Sequence, residues 1–309
     1  MLTYLKYGNG KLQMADALDD CQIVRVVAPS NTEMALLGDR LNIPLDFLTA
    51  ATDRDERPRV ETDEECRLMV IRIAHQRGGP DTPYVTTALA IILTPTYIVS
   101  VCSEPSLVWE DLLGGRIRLP HPRDRVAFLC ALFMQIARQY LAMLRLIREE
   151  ADAAERAIQH SLKNEMLIHM LNLEKCLVFF TTSLRANEPI WERFRRLHGR
   201  ELTEEERDMI DDVKVEFRQA KELADIYSNI LSGMMDAFAS IIANNQNMVM
   251  KLLTSITIIL MLPTLVASIY GMNVDLPFQH SPHAFLVTMA LSAFMSSAGI
   301  AFFFKKKWF

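Results

Sequence analysis

Between Ile226 and Met250 the sequence carries one charged residue, Asp236, set among Ile230, Leu231, Phe238, Ile241 and Ile242. An ionised carboxylate on an apolar helix face is costly unless a cation or a hydrogen-bond donor meets it, which makes Asp236 a candidate cation ligand. Further along, His280 and His283 flank Ser281-Pro282. Imidazoles suit softer divalent metals such as Zn²⁺, Co²⁺ or Ni²⁺, although two histidines around a proline are also ordinary loop residues. Enzyme chemistry has little to stand on. There is no Gly-x-x-x-x-Gly-Lys, no His-Glu-x-x-His and no Gly-x-Ser-x-Gly, and Gly8-Asn9-Gly10 is followed by Gln13 where a dinucleotide fingerprint needs glycine.

The segments that must carry these residues are of two kinds. Residues 252–270 hold no charge over 19 positions and residues 284–304 none over 21, each close to the roughly 20 residues a helix needs to cross a ~30 Å hydrocarbon core. Two transmembrane helices are expected, and the mean hydropathy of +0.11 averages this apolar end with a polar remainder. Lys251 precedes the first span, Lys305, Lys306 and Lys307 follow the second, and residues 271–283 contain no Lys or Arg. That asymmetry places both termini in the cytoplasm and the 271–283 loop outside, with Trp308 at headgroup level. Residues 1–13 lack an apolar run of signal-peptide length, so the first 250 residues are expected in the cytosol. The five cysteines are scattered, odd in number and free of any Cys-x-x-Cys, and read as reduced thiols facing the cytosol. A net charge of −5 argues against nucleic acid as the main partner, because such proteins present a basic face.

The cytosolic part has its own grammar. Runs rich in Val, Ile, Thr and Tyr at 22–28, 67–74, 84–93 and 96–102 read as strands, and 31–41 and 106–113 read as helices. Gly78-Gly79-Pro80 and Pro83 mark turns, while Pro95 sits between two strands that can form a hairpin. An α/β domain over 1–120 follows. Apolar residues then recur at helical spacing from 123 to about 197, which fits two antiparallel helices over 121–200. Thr203-Glu204-Glu205-Glu206 is a capping box, and the next proline is Pro263. One helix can therefore run from 203 to 270, about 100 Å at 1.5 Å per residue. A stalk over 201–250 would continue into the membrane part, 251–309. The apolar face of 226–250 cannot be left in water, so the stalk is expected to self-associate, with Asn244, Asn245, Gln246 and Asn247 at the membrane mouth.

The first span closes on Ala267-Ser268-Ile269-Tyr270-Gly271-Met272-Asn273. This resembles the CorA family of magnesium transporters, whose signature is Gly-Met-Asn at the external end of the first of two C-terminal membrane helices, with a basic tail after the second. The likeness runs back through Ser232-Gly233, Asp236, Asn244, Asn247 and Met250-Lys251, and the coarse layout matches over the whole chain. One stretch departs from it. Better-known members follow the signature with Met-Pro-Glu-Leu, whereas this chain has Asp275-Leu276-Pro277-Phe278-Gln279-His280-Ser281-Pro282-His283. The resemblance implies five subunits around one pore, held shut by intracellular Mg²⁺ bound between neighbouring cytosolic domains. Asp236 matches a regulatory acidic position through Ser232-Gly233-x-x-Asp236, and Asp212 is a looser candidate in an acidic run that also suits a solvated face. Asp275 would stand in for the missing glutamate in drawing cations to the mouth.

Mg²⁺ holds its water tightly and wants octahedral oxygen ligation, so a filter for it should offer neutral oxygens to a hydrated ion. Gly271, Met272 and Asn273 supply the carbonyls and the amide for that, Gly271 also letting the backbone turn closely at the helix end. Stepping back by threes and fours gives Ser268, Thr264, Met261, Thr257, Leu253, Met250 and Asn247 as the pore face. Ser268 and Thr264 would keep the outer half wet, while Met261, Leu253 and Met250 would gate by excluding water. The function implied is a gated Mg²⁺ channel of the cell (inner) membrane, driven inward by membrane potential. Its partners are metal ions, membrane lipid and its own copies as a pentamer. Two alternatives stay open: transport of Zn²⁺, Co²⁺ or Ni²⁺ by the same architecture, and a non-conducting membrane-anchored sensor or scaffold.

Overall fold

In the computed structural model every residue is described except 51, 64, 80, 116–118, 161–163, 199–201, 275, 278–280, 307 and 309. The chain divides into two compact units, Met1–Gly233 and Met234–Phe309. The first contains strands β1 (Leu2–Gly8), β2 (Lys11–Ala15) and β3 (Ile23–Val27), then helices α1 (Asn31–Leu41) and α2 (Leu45–Thr49). Strands β4 (Arg59–Asp63), β5 (Cys66–Gln76), β6 (Tyr84–Leu93) and β7 (Ile98–Cys102) follow, and then α3 (Leu107–Leu113), α4 (Arg125–His160) and α5 (Asn164–His198). Helix α6 (Glu204–Tyr270) belongs to both units, and α7 (Ala284–Lys305) completes the second.

Among the described residues the seven strands form one sheet in the order β2-β1-β3-β7-β6-β5-β4, with β3 and β7 its parallel pair. Every residue of β6 and β7 is buried, the signature of central strands covered on both faces. Val24, Val26, Val70, Ala90 and Val99 pack with Leu37 of α1 and Leu48 of α2 on one face. Trp109 of α3 reaches the other, where its indole N–H donates to Ser100 Oγ at 2.8 Å. Residues 93–98 close the expected hairpin, with Thr94 N–H donating to Tyr97 O at 3.0 Å. The sheet also extends beyond the sequence reading, which placed no strand before residue 22. The β1–β2 hairpin turns on Asn9 and Gly10, both at positive φ (54° and 78°), as a two-residue hairpin loop requires.

Helices α4 and α5 are locked to the sheet at one residue of β5. Asn187, fully buried, accepts from Arg72 N–H at 2.9 Å and donates to Arg72 O at 2.8 Å, while Tyr140 O–H donates to the same carbonyl at 3.0 Å. The Arg72 guanidinium then donates to Arg54 O, Asp55 and Thr86. Helix α6 opens with the expected capping box, Thr203 N–H to Glu206 Oε2 at 2.7 Å and Glu206 N–H to Thr203 Oγ1 at 3.2 Å. It buries Ile210, Val213, Phe217, Ala220 and Ala224 at helical spacing, with Phe217 4.6 Å from the Trp191 ring of α5. Lys214–Glu192 (2.7 Å) and Lys221–Glu188 (3.1 Å) border that seam; such exposed pairs stabilise little.

Among the described residues three helices are long and apolar enough to cross a membrane, and their burial separates them. The apolar window of α4 is 78% buried and serves the core of the first unit, whereas the windows of α6 and α7 are 11% and 0% buried. The five cysteines are all buried, and none is joined in a disulfide. Ile226, Ile230 and Ile241 of α6 remain about half exposed, while Leu231 is covered.

Candidate functional site

In the second unit α6 and α7 meet along one stripe of each helix. On α6 it includes the buried Ser255 and Val266; on α7 it includes Gly299, where a Cβ would sit 3.1 Å from Leu262 Cδ1 and 3.6 Å from Ile259 Cγ1. Toward the Gly271 end of α6 a cavity of about 610 Å³ is lined by Pro263, Ala267 and Tyr270 on one side and Thr288, Ser292 and Ser296 on the other. The α6 positions turned to α7 are thus 255, 259, 262, 263, 266, 267 and 270. At 3.6 residues per turn, the line Asn247, Met250, Leu253, Thr257, Met261, Thr264, Ser268 points about 180° away from them. All seven residues are exposed, Met250 by 54%, Leu253 by 58% and Met261 by 64%, so none of the three apolar ones is packed against the second apolar helix.

The hydroxyls on that face have a definite polarity. Thr257 Oγ1 donates to Leu253 O at 2.8 Å and Thr264 Oγ1 to Leu260 O at 3.1 Å. A hydroxyl has one proton and two lone pairs, so each of these turns acceptor capacity outward. The waters around a divalent cation are donors, and acceptors are what they need. Pro263, inside α6, has no N–H to offer the carbonyl of Ile259, on the side of the helix turned to α7.

At the end of α6, Gly271 N–H donates to Ala267 O at 2.9 Å and Met272 N–H to Ile269 O at 3.2 Å. Gly271 does not adopt a positive φ. Its missing side chain matters through close approach instead, because a Cβ would lie 3.2 Å from Ala267 O. Met272 and Asn273 are exposed, and Tyr270 O–H donates to Pro277 O at 3.4 Å, bringing the loop back to the helix end. Asp275 and His280 lie outside the described residues, so their candidate roles have no geometry here. His283 is exposed and precedes α7 at the N-cap position, without a side-chain cap.

Asp236 and Asp212 are exposed, and neither has a hydrogen bond or ion pair to any described residue. No group of three His, Cys, Asp or Glu able to hold a metal occurs among the described residues. Among the described residues of one chain, therefore, no ligand set is brought to either carboxylate. The inner stripe of α7 had escaped the sequence reading, although Thr288, Ser292, Ser296 and Gly299, small residues three or four apart, carried a signal for close helix packing.

A family model described as CorA-like Mg²⁺ transporter protein matches residues 19–306. The chain belongs to the CorA family of Mg²⁺ transporters. A cobalt/magnesium transport protein CorA of Methanocaldococcus jannaschii is 26% identical over 287 residues, which is 91% of this chain and 89% of that protein. A cobalt/magnesium transport protein CorA of Thermotoga maritima is 26% identical over 261 residues, 82% of this chain and 73% of the relative. The complete structure of the CorA magnesium transporter from M. jannaschii superposes with a TM-score of 0.86 over 100% of this chain and 99% of that one, at 24% identity. The CorA fold, an N-terminal α/β domain with long helices and an apolar C-terminal helix pair, is therefore the fold of this chain.

Proposed function

We propose that this CorA-family chain is a gated Mg²⁺ channel in which α6 lines the conduction path and α7 packs behind it. One observation carries the reading: the α6 face from Asn247 to Ser268 lies opposite the α7 contact and stays exposed, in a helix ending on Gly271-Met272-Asn273. An apolar helix pair covered on so little of its surface needs lipid on one side and copies of itself on the other. We take 252–270 and 284–304 as two spans of the cell (inner) membrane with both termini cytoplasmic, and five copies as the assembly, as family resemblance suggests.

In this account hydrated Mg²⁺ meets a ring of Asn273 amides and the carbonyls near Gly271, then the acceptor lone pairs of Ser268, Thr264 and Thr257. Such groups hydrogen-bond the ion's first water shell without stripping it. Met261, Leu253 and Met250 form the constriction that closes by dewetting, and Asn247 ends the path. A potential of 100 mV contributes about 4.6 kcal/mol to the inward movement of a divalent ion, at ~2.3 kcal/mol per charge. Asp275 concentrates cations at the outer mouth. Because no three-ligand cluster occurs among the described residues, regulatory Mg²⁺ at Asp236, and more loosely at Asp212, would complete its shell with water or a neighbouring copy. An ion bound only in the closed arrangement stabilises that state.

Co²⁺ is the second cargo, favoured by the names of the M. jannaschii and T. maritima relatives. Competition among divalent ions for flux through the reconstituted chain tests the assignment. Mg²⁺ should block Co²⁺ flux and carry current itself. A pore that carries Zn²⁺ and is indifferent to Mg²⁺ overturns it.

A further inference from the structure

In the first unit a cavity of about 350 Å³ lies where the segments entering β3 and β7 meet the start of α4. Its polar lining is Gln22, Thr96, Arg123 and Arg125, and no carboxylate is among the lining residues. Arg125 is partly buried and donates one hydrogen bond, from Nη2 to Pro95 O at 2.5 Å. A guanidinium has five N–H donors, so most of its capacity remains. Gln22 Oε1 accepts from Tyr7 N–H at 2.7 Å, which leaves its NH₂ as the end able to serve a ligand. The nearby carboxylate of Asp124 is engaged as a cap, accepting from Ala127 N–H at 3.2 Å.

Electrostatics agrees with this inventory. Burial first, and then the like charge of Arg67, lower the pKa of Arg125. Burial first, and then the negative charge of Asp19, push the Cys21 thiol on the cavity wall up to about 11, so the thiol itself adds no negative charge near neutrality. One partly buried guanidinium, Arg125, one exposed guanidinium, Arg123, a hydroxyl and an amide thus line this cavity, in a chain whose net charge is −5. We propose that this cavity binds a phosphate-class anion, either free phosphate or the phosphates of a nucleotide, through Arg123 and Arg125. The planar guanidinium fork matches two phosphate oxygens at once, and Gln22 and Thr96 supply neutral donors beside it.

The test is calorimetric titration of the full-length protein in detergent, with EDTA present and ionic strength held constant, using inorganic phosphate and ATP as separate probes. Saturable binding of at least one probe is expected, weakened about ten- to a hundredfold in both Arg123→Gln and Arg125→Gln, the range for losing charge-assisted hydrogen bonds. Tighter binding of ATP identifies a nucleotide site; equal or tighter binding of phosphate identifies a free-phosphate site. Arg125 also holds the Pro95 carbonyl, so its variant could loosen the fold, whereas Arg123 is exposed and its variant tests the site alone. Absence of binding by both probes up to about 10 mM, or binding undiminished in Arg123→Gln, overturns the proposal.

Discussion

Replacing Asn187 with Ala should be among the most damaging single changes in the first unit, although the residue touches nothing in the proposed pore. Its Oδ1 is the partner of Arg72 N–H at 2.9 Å, in the middle of a sheet strand. An orphaned buried N–H costs about 1–3 kcal/mol, and the space left by the amide adds roughly 1 kcal/mol. The Arg72 carbonyl is spared, because Tyr140 O–H still reaches it at 3.0 Å. Tyr140→Phe should conversely cost only about 0.5–1.5 kcal/mol, since Asn187 keeps that carbonyl satisfied. The double variant leaves both backbone groups of Arg72 without these partners and should lose more than the sum of the single changes. For a unit of this size 1 kcal/mol corresponds to about 2–4 °C in melting midpoint. Asn187→Ala should thus melt about 4–16 °C below the parent, and Tyr140→Phe about 1–6 °C below. Thermal melting of the three variants, with hydrogen exchange at the Arg72 amide, checks both size and cause. Equal shifts for the two single variants, or an Arg72 amide still protected in Asn187→Ala, would refute the reasoning.

Three other outcomes are expected. Gly299→Leu should loosen the α6–α7 pair by about 1–3 kcal/mol, because even a Cβ there meets Leu262 at 3.1 Å, while Gly299→Ala should be close to neutral; detergent melting separates them. Raising pH should destabilise the fold from about pH 9 upward, since burial pushes the thiols of Cys21 and Cys130 from 9.0 to about 11 and about 12. Below pH 9 both states hold these protons and the full stability is present; above it the unfolded thiols ionise while the folded ones do not, so Cys130→Ala should flatten the decline in melting temperature. Asp236→Asn should let the pore conduct at internal Mg²⁺ levels that silence the parent, read as a right-shifted inhibition curve; an unshifted curve with a less stable oligomer would make Asp236 a structural residue only.

Much of this molecule was legible because its signals are local. The Thr203–Glu206 capping box and the absence of proline until Pro263 announce a helix that the structure runs over Glu204–Tyr270. The run 84–93 is apolar enough to be read as a strand, and it is one, Tyr84–Leu93, buried throughout. The β1–β2 hairpin was missed because its strands mix Lys, Thr, Tyr and Gln, yet Asn9-Gly10 carried the turn signal. Strand β4, Arg59–Asp63, is an edge of charged residues with no apolar period to betray it. The lock between Arg72 and Asn187 joins residues 115 positions apart, and no pattern of spacing reveals such a pair. At the candidate site the exposed face of α6 follows from helical periodicity, whereas the contact side of α7 depended on which small residues meet Leu262, which only packing decides.

The central claim is that neutral oxygens at the end of α6 pass Mg²⁺. Its most direct measurement is potential-driven Mg²⁺ flux into vesicles containing the purified chain, compared with Asn273→Ala and Gly271→Ala at equal reconstituted amounts and with the assembly state checked. Both substitutions should leave assembly intact, as Asn273 is exposed and a Cβ at Gly271, which avoids positive φ, asks the Ala267 carbonyl 3.2 Å away to give only slightly. The account predicts robust flux for the parent and little for either variant. Absent flux from the parent, or undiminished flux from Asn273→Ala, would contradict it.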